Sequence, residues 1–205
     1  MRIALVFVAL LLAWYATPSA QVFYQYPDAP TIEARHVFVG AYLSAGDDLF
    51  RFGGFSRYGI AKYWDFGVEG LVEETDGSWR GGLGGDVKYQ LFPTTSKLPF
   101  DLSLNGGLGF NSGGGVTTLQ APFGGIISTP LTTDGGTVIT PFLGVYALWV
   151  RTEVSRSGLP DITDNDIDAL IRGGAKLQLK VGLDIFATLQ LGPNDLVSFG
   201  VDYEL

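Results

Sequence analysis

The chain has 205 residues, enough for one domain with a substantial interior. It carries 21 acidic against 13 basic side chains, a formal charge of −8 with no basic cluster, which argues against nucleic acid as a partner. It has no cysteine, and that excludes a disulfide framework, thiolate metal sites and a cysteine-borne lipid anchor.

Residues 1–20 read as a signal peptide. Arg2 is a short basic start, Ile3 to Ala13 is apolar, and Thr17-Pro-Ser-Ala20 is a small-residue exit. The apolar piece is too short to cross about 30 Å of hydrocarbon as a helix. No later apolar run approaches that length, the longest being Pro141 to Val150. Loss of the signal removes Arg2 and leaves 12 basic against 21 acidic side chains, a formal charge of −9. Residues 21–34 contain Pro27 and Pro30 without a period and form an extended lead-in.

Glycine, at 29 of 205, is about twice the usual share of roughly 7%. With aromatic residues throughout and almost no helical periodicity, the class is all-β. Ten strands are predicted near 35–44, 49–60, 64–75, 79–92, 99–111, 115–130, 138–154, 167–181, 183–191 and 196–205. In the fourth, Trp79, Leu83, Val87, Tyr89 and Leu91 alternate with Arg80, Asp86, Lys88 and Gln90. In the fifth, Phe100, Leu102, Leu104, Leu108 and Phe110 alternate with Asp101, Ser103 and Asn105. The eighth and ninth repeat the pattern around Arg172, Lys176 and Asp184. A period of two puts the apolar set on one face and the polar set on the other.

Two strands depart from it. The seventh is apolar on both faces and contains Pro141; the sixth carries Pro122, which removes a ladder donor and implies a bulge. An eight-stranded count, with the region Gly113 to Gly136 partly a loop, therefore stays open beside ten.

The strands are long, matching the roughly 9–11 residues that a tilted strand needs to cross a bilayer. Aromatics cluster at strand ends (Tyr58, Tyr63, Trp64 and Phe66 at one turn, Phe92 and Phe100 at the next), as interfacial girdles do. The last strand alternates Val197, Phe199, Val201, Tyr203 and Leu205 with Ser198, Gly200, Asp202 and Glu204 to the final residue. In this it resembles the C-terminal strand of Gram-negative outer-membrane β-barrel proteins, with Leu205 in place of the usual terminal aromatic. The whole of 35–205 resembles small outer-membrane barrels of the OmpW/OmpA-barrel sort. The resemblance implies a closed antiparallel up-and-down transmembrane β-barrel in the outer membrane. Its partners would be outer-membrane lipid and, through the C-terminal strand, the barrel-insertion machinery. It carries no active-site motif and leaves the oligomeric state open. With the C-terminus in the periplasm, the lead-in is periplasmic as well, and only the outer loop Ser155 to Asp166 is long.

The inward face then carries Arg51, Arg57, Arg80, Lys88, Arg172, Lys176 and Lys180. Opposing them are Asp65, Glu69, Glu73, Asp86, Asp101, Asp168, Asp184, Asp202 and Glu204. Folding the second and third strands about Ala61–Trp64 sets Arg57 near Glu69 and Arg51 near Glu73; the next hairpin brings Glu73 toward Arg80 and Asp65 toward Lys88. Cross-strand opposite charges make a ladder. The expected lumen network comprises Arg51, Arg57, Asp65, Glu69, Glu73, Arg80, Asp86, Lys88, Arg172 and Lys176. It either fills a narrow barrel or lines a narrow passive path for small solutes. Non-transporting structural or surface-interaction barrels form the alternative.

Nothing points to an enzyme, a metal or a cofactor. His36, the sole histidine, reads as a polar lumen filler. A rim-site enzyme would need activity from acids such as Asp47 or Asp48. Asp164, Asp166 and Asp168 have calcium-loop spacing, but Ala169 and Ala175 stand where the loop needs Gly and Glu, so a solvated acidic loop is expected. Gly81-Gly-Leu-Gly-Gly85 and Gly106-Gly-Leu-Gly109 lie inside strands, with no following helix to make a phosphate loop.

Overall fold

The computed structural model describes residues 28–46, 49–75, 77–95, 97–155, 162–180 and 182–205. The signal peptide, residues 21–27 and the acids Asp47 and Asp48 lie outside the described residues.

Alternation of side chains builds one sheet from β1 (Val37–Ala45), β2 (Leu49–Ala61), β3 (Trp64–Thr75), β4 (Ser78–Phe92), β5 (Asp101–Gly113) and β6 (Val116–Ser128), then β8 (Val138–Val154), β9 (Ile162–Lys180), β10 (Leu183–Leu191) and β11 (Leu196–Glu204). A two-residue β7 (Leu131–Thr132) pairs only with the start of β8. Each long strand pairs antiparallel with its sequence neighbour; β6 pairs with β8, and β11 returns to β1, so ten strands close into an up-and-down barrel. Closure leaves no sheet edge within the wall. Both described ends of the chain lie at one opening, the terminal mouth; the hairpins at Gly46, Gly77 and Gly114 ring the opposite loop mouth.

The faces sort as a membrane requires. Leu43, Leu83, Leu108, Phe123, Leu189 and Phe199 are exposed on the outside, while Arg51, Asp65, Glu69, Glu73, Asp86 and Arg172 are buried inside. A soluble barrel would show the reverse, so the outer belt faces lipid. Trp64, Tyr58 and Tyr203 stand exposed near the terminal mouth, where the Trp64 and Tyr89 rings lie 4.5 Å apart, and Phe50 and Trp79 stand near the other. These are interfacial girdles. Leu104→Arg and Leu189→Arg should each lower unfolding free energy by about 2–4 kcal/mol if near the bilayer midplane. Gln178→Arg, at the exposed rim, should cost far less; the opposite ranking in urea titrations of vesicle-inserted protein would show the faces assigned backwards.

Inside, five aromatic rings each lie against a glycine directly opposite on the neighbouring strand. The pairs are Tyr42 with Gly53, Phe55 with Gly40, Phe186 with Gly200, Phe142 with Gly174 and Tyr146 with Gly124. A Cβ on any of these glycines would fall under 3.0 Å from the facing ring. The glycines thus make room for rings laid flat along the wall.

The two irregular strands now have reasons. The inner face of β8 is apolar because Tyr146, Leu148 and Val150 pack with Leu170 inside the barrel, while Phe142 packs with Ile126. Pro141 lies just past the last β6 pair, Ser128 with Phe142, so its missing N–H breaks no ladder there. Pro122 produces no bulge. The register with β5 is the same on either side of it, and only the pairs between Gly106–Phe123 and Gly109–Gln120 are lost. The acidic stretch expected as a loop is strand: β9 begins at Ile162, and Asp164, Asp166 and Asp168 pair against β8 through Thr152, Val150 and Leu148. Because β10 ends opposite Ile171, residues 162–170 extend past it as a tongue.

Candidate functional site: a filled lumen with a strapped mouth

Three polar layers occupy the barrel axis. Nearest the loop mouth, Arg51 stands opposite Glu73 and donates to Oε2 at 3.1 Å, both side chains wholly buried. Asn111 donates to the other carboxylate oxygen at 2.8 Å. Arg80 is opposite Glu73 on the far strand, and its Nε and Nη1 are buried without a hydrogen-bond partner.

In the middle layer, Arg57 takes partners that the simple hairpin fold does not give. A register shift between Gly59 and Ala61 sets Arg57 opposite Gly67, with Asp65 and Glu69 as its diagonal neighbours. Its ion pairs run to Asp65 and, across β3, to Asp86 at 3.0 Å. Asp86 is itself opposite Gly67, so the missing side chain of Gly67 lets the guanidinium step over one strand to the next. Glu69 accepts the hydroxyl of Tyr42, whose ring lies over Gly53 in the same manner. Tyr42 carries no charge, so charge patterning does not mark it; its signal is an aromatic facing a glycine across a hairpin. Arg172 lies beside this layer, donating to Gln190 at 2.8 Å, its guanidinium 5.9 Å from the Tyr146 ring.

The third layer includes a piece of the lead-in. Residues 28–32 cross the terminal mouth inside the barrel as a strap, with Ala29 at 0% exposure. An irregular backbone inside a barrel needs partners for its polar groups, and lumen side chains supply them. Ala29 N–H donates to Ser128 Oγ at 3.1 Å, and its carbonyl accepts from Ser103. Thr31 N–H and hydroxyl both donate to Gln90, and Ile32 N–H to Asp65 at 3.0 Å. Lys88 donates to the carbonyls of Asp28, at 3.2 Å, and Pro30, at 2.6 Å, and lies 3.7 Å from Asp65. Pro30, having no N–H, leaves none to satisfy. The Asp28 carboxylate pairs with Lys176, which also reaches Asp184 at 3.1 Å. Burial pushes the Asp28 carboxyl up, but Lys176 and then Lys88 outweigh it and hold the group below its ordinary 3.8.

His36 is no lumen filler. It sits half-exposed on the rim, Nδ1 2.6 Å from Glu204 and Nε2 4.0 Å from Glu33. Beside it a cavity of about 210 Å³ opens between strap and wall, with Glu33 and Glu204 at its edge and Phe38, Phe55 and Asp202 among its walls. Among the described residues no group of carboxylates and histidine converges as a metal site.

No family model matches the sequence, and no curated protein does. Solved structures match in fold. The β domain of the Bordetella autotransporter Brka has a TM-score of 0.51 at 9% identity, covering 82% of this chain and 97% of that one. A bacterial polysaccharide outer-membrane secretin gives 0.47 at 12% identity over 83% of this chain, which spans 65% of the secretin's length. The N-terminal β-barrel domain of Pseudomonas aeruginosa OprF gives 0.37 at 15% identity, covering 84% of this chain and 98% of that domain.

Proposed function

With the fold of an outer-membrane β-barrel as premise, we propose that this protein is sealed at rest and acts as a surface-presenting structural barrel rather than a general pore. The observation that carries this reading is the occupied axis: strap, Arg57 layer and Arg51 layer follow one another, with Leu148, Val150 and Leu170 packed toward the loop mouth. Ten strands fall between barrels filled by side chains and the open channels of 16–18 strands, so the interior side chains decide. With both described ends of the chain set on the periplasmic side, the strap faces the periplasm, and the β8–β9 tongue is the part displayed outside. The C-terminal strand is then the one offered to the insertion machinery.

Liposomes carrying the folded protein should not swell in isotonic arabinose, and planar bilayers should show no steady current. Swelling at a general porin's rate would overturn the reading in favour of an open solute path. A narrow passive channel is the second reading. It is supported by the strap being held without covalent links, and the response to releasing the strap separates the two.

A further inference from the structure

Resting on the surface-presenting reading, we propose that the free edge of β9 in the tongue takes a cationic extended segment of another protein as an added strand. β9 pairs with β8 in one unbroken register, from the pair Val154 and Ile162 to the pair Val138 and Gln178. Its pairing with β10 ends at Ile171 and Leu191. The β10–β11 turn reaches no further than Ala169, whose carbonyl would stand 3.0 Å from a Cβ on Gly192. Among the described residues nothing pairs with 162–168 on that side. A strand bonded on one side only turns alternate N–H and C=O groups toward solvent, where they can template another strand. The free edge is roughly 20 Å long.

Most of the devices that protect an edge are missing here. Residues 162–168 contain no proline and no lysine, and the register with β8 has no bulge to twist the edge away. What the edge carries is Asp164, Asp166 and Asp168 at alternate positions, hence on one face, with Ile167 78% exposed on the other. Asp164 and Asp166 are exposed to solvent. The sole cation of β8, Arg151, stands opposite Asn165 and is already paired with Glu153.

Charge and direction choose the occupant. A second copy would have to pair β9 with β9. Copies inserted alike run this strand the same way, so an antiparallel pair would need one of them inverted. A parallel, in-register pair would set each acid beside its own copy, and like charges on facing positions destabilise a sheet. A segment with lysine or arginine at every second position instead meets Asp164, Asp166 and Asp168 on one face. Its intervening small or β-branched residues lie along Ile167 on the other. The acids thus turn away self-pairing and acidic strands while admitting a basic one, so repulsion sets the specificity as much as attraction does. With the tongue outside, the partner is an extracellular polypeptide.

The test uses the folded mature chain in detergent micelles and reads amide hydrogen exchange at residues 162–168. The probe is a peptide as long as the edge that alternates lysine with threonine. Its controls are the glutamate–threonine analogue, a block peptide of the same composition, and an N-methylated form that keeps the charge but donates no backbone hydrogen bond. The probe should bind saturably and slow exchange at alternate residues of 162–168, and the three controls should not. Asp164→Asn with Asp166→Asn should weaken the probe by about tenfold, the worth of two cross-strand charge pairs, while keeping the parent's unfolding midpoint. Equal protection by the block or N-methylated peptide would show charge attraction without strand addition and overturn the proposal. So would unchanged exchange at saturating probe, or a double variant that binds as the parent does. Liposome swelling is scored apart: a leaking barrel that the probe still protects sinks only the sealed reading, and a sealed barrel without protection sinks only the added strand.

Discussion

Arg57→Ala should lower the free energy of unfolding by about 3–5 kcal/mol, because it leaves buried carboxylates without their counter-charge. Asp65 and Asp86, at 0% and 3% exposure, both pair with this guanidinium. Lys88 stays within 3.7 Å of Asp65, so Asp86 is the group most nearly stranded. The double change Arg57→Met and Asp86→Asn removes one charge of each sign at similar volume, leaves Asp65 its Lys88 partner, and should recover most of the loss, since a buried ion pair contributes little net stability over a matched neutral one. Asp65, which also holds the Ile32 N–H, stays in place. Urea unfolding of vesicle-inserted protein is the measurement. A loss for Arg57→Ala below about 1 kcal/mol, the range of solvent-exposed pairs, would mean that water reaches this layer.

Lys88→Met should release the strap without opening a large conductance. Two carbonyls and part of the charge balance of Asp65 depend on this ammonium. Losing it leaves buried acceptors unmet, at about 1–3 kcal/mol each. The readout is trypsin cleavage after Arg35, whose N–H is held by Gly59 at 2.8 Å while the strap is seated. Cleavage should be slow in the parent and fast in the variant. Planar-bilayer current should stay near that of the parent, because the Arg57 and Arg51 layers remain. Large steady currents after Lys88→Met would show the strap to be the only barrier and favour the narrow-channel reading.

The strap also has a pH signature. Asp28 lies below its ordinary 3.8 when folded, so its pairing with Lys176 contributes in full above that value. The contribution disappears as pH falls through the lower, folded value. Probing with the acid protease pepsin should therefore find the strap seated at pH 5 and loosened only below the ordinary carboxylate range.

Much of this was written in the chain itself. A period of two is a local property, so which residues share a face, as Leu104 apart from Asn105 or Val87 apart from Lys88, follows from the sequence order alone. Strand length and exposed apolar side chains then choose lipid for the outside. All-β class and the outward apolar face needed no long-range information.

What the sequence could not determine are the partners, because they depend on register and on what lies opposite. A one-residue shift at Gly59 moves Arg57 from facing Val68 to facing Gly67, and the side-chain gap there carries its reach on to Asp86. The inner apolar face of β8 looks anomalous until Leu170 is found against it. Residues 28–32 have no period because their hydrogen bonds go to Ser128, Ser103, Gln90, Lys88 and Asp65, each from another part of the chain. Alternation reports a strand that pairs with its neighbours. A segment held by side chains inside a closed wall leaves no such trace, so only the closing of the barrel decides where it lies.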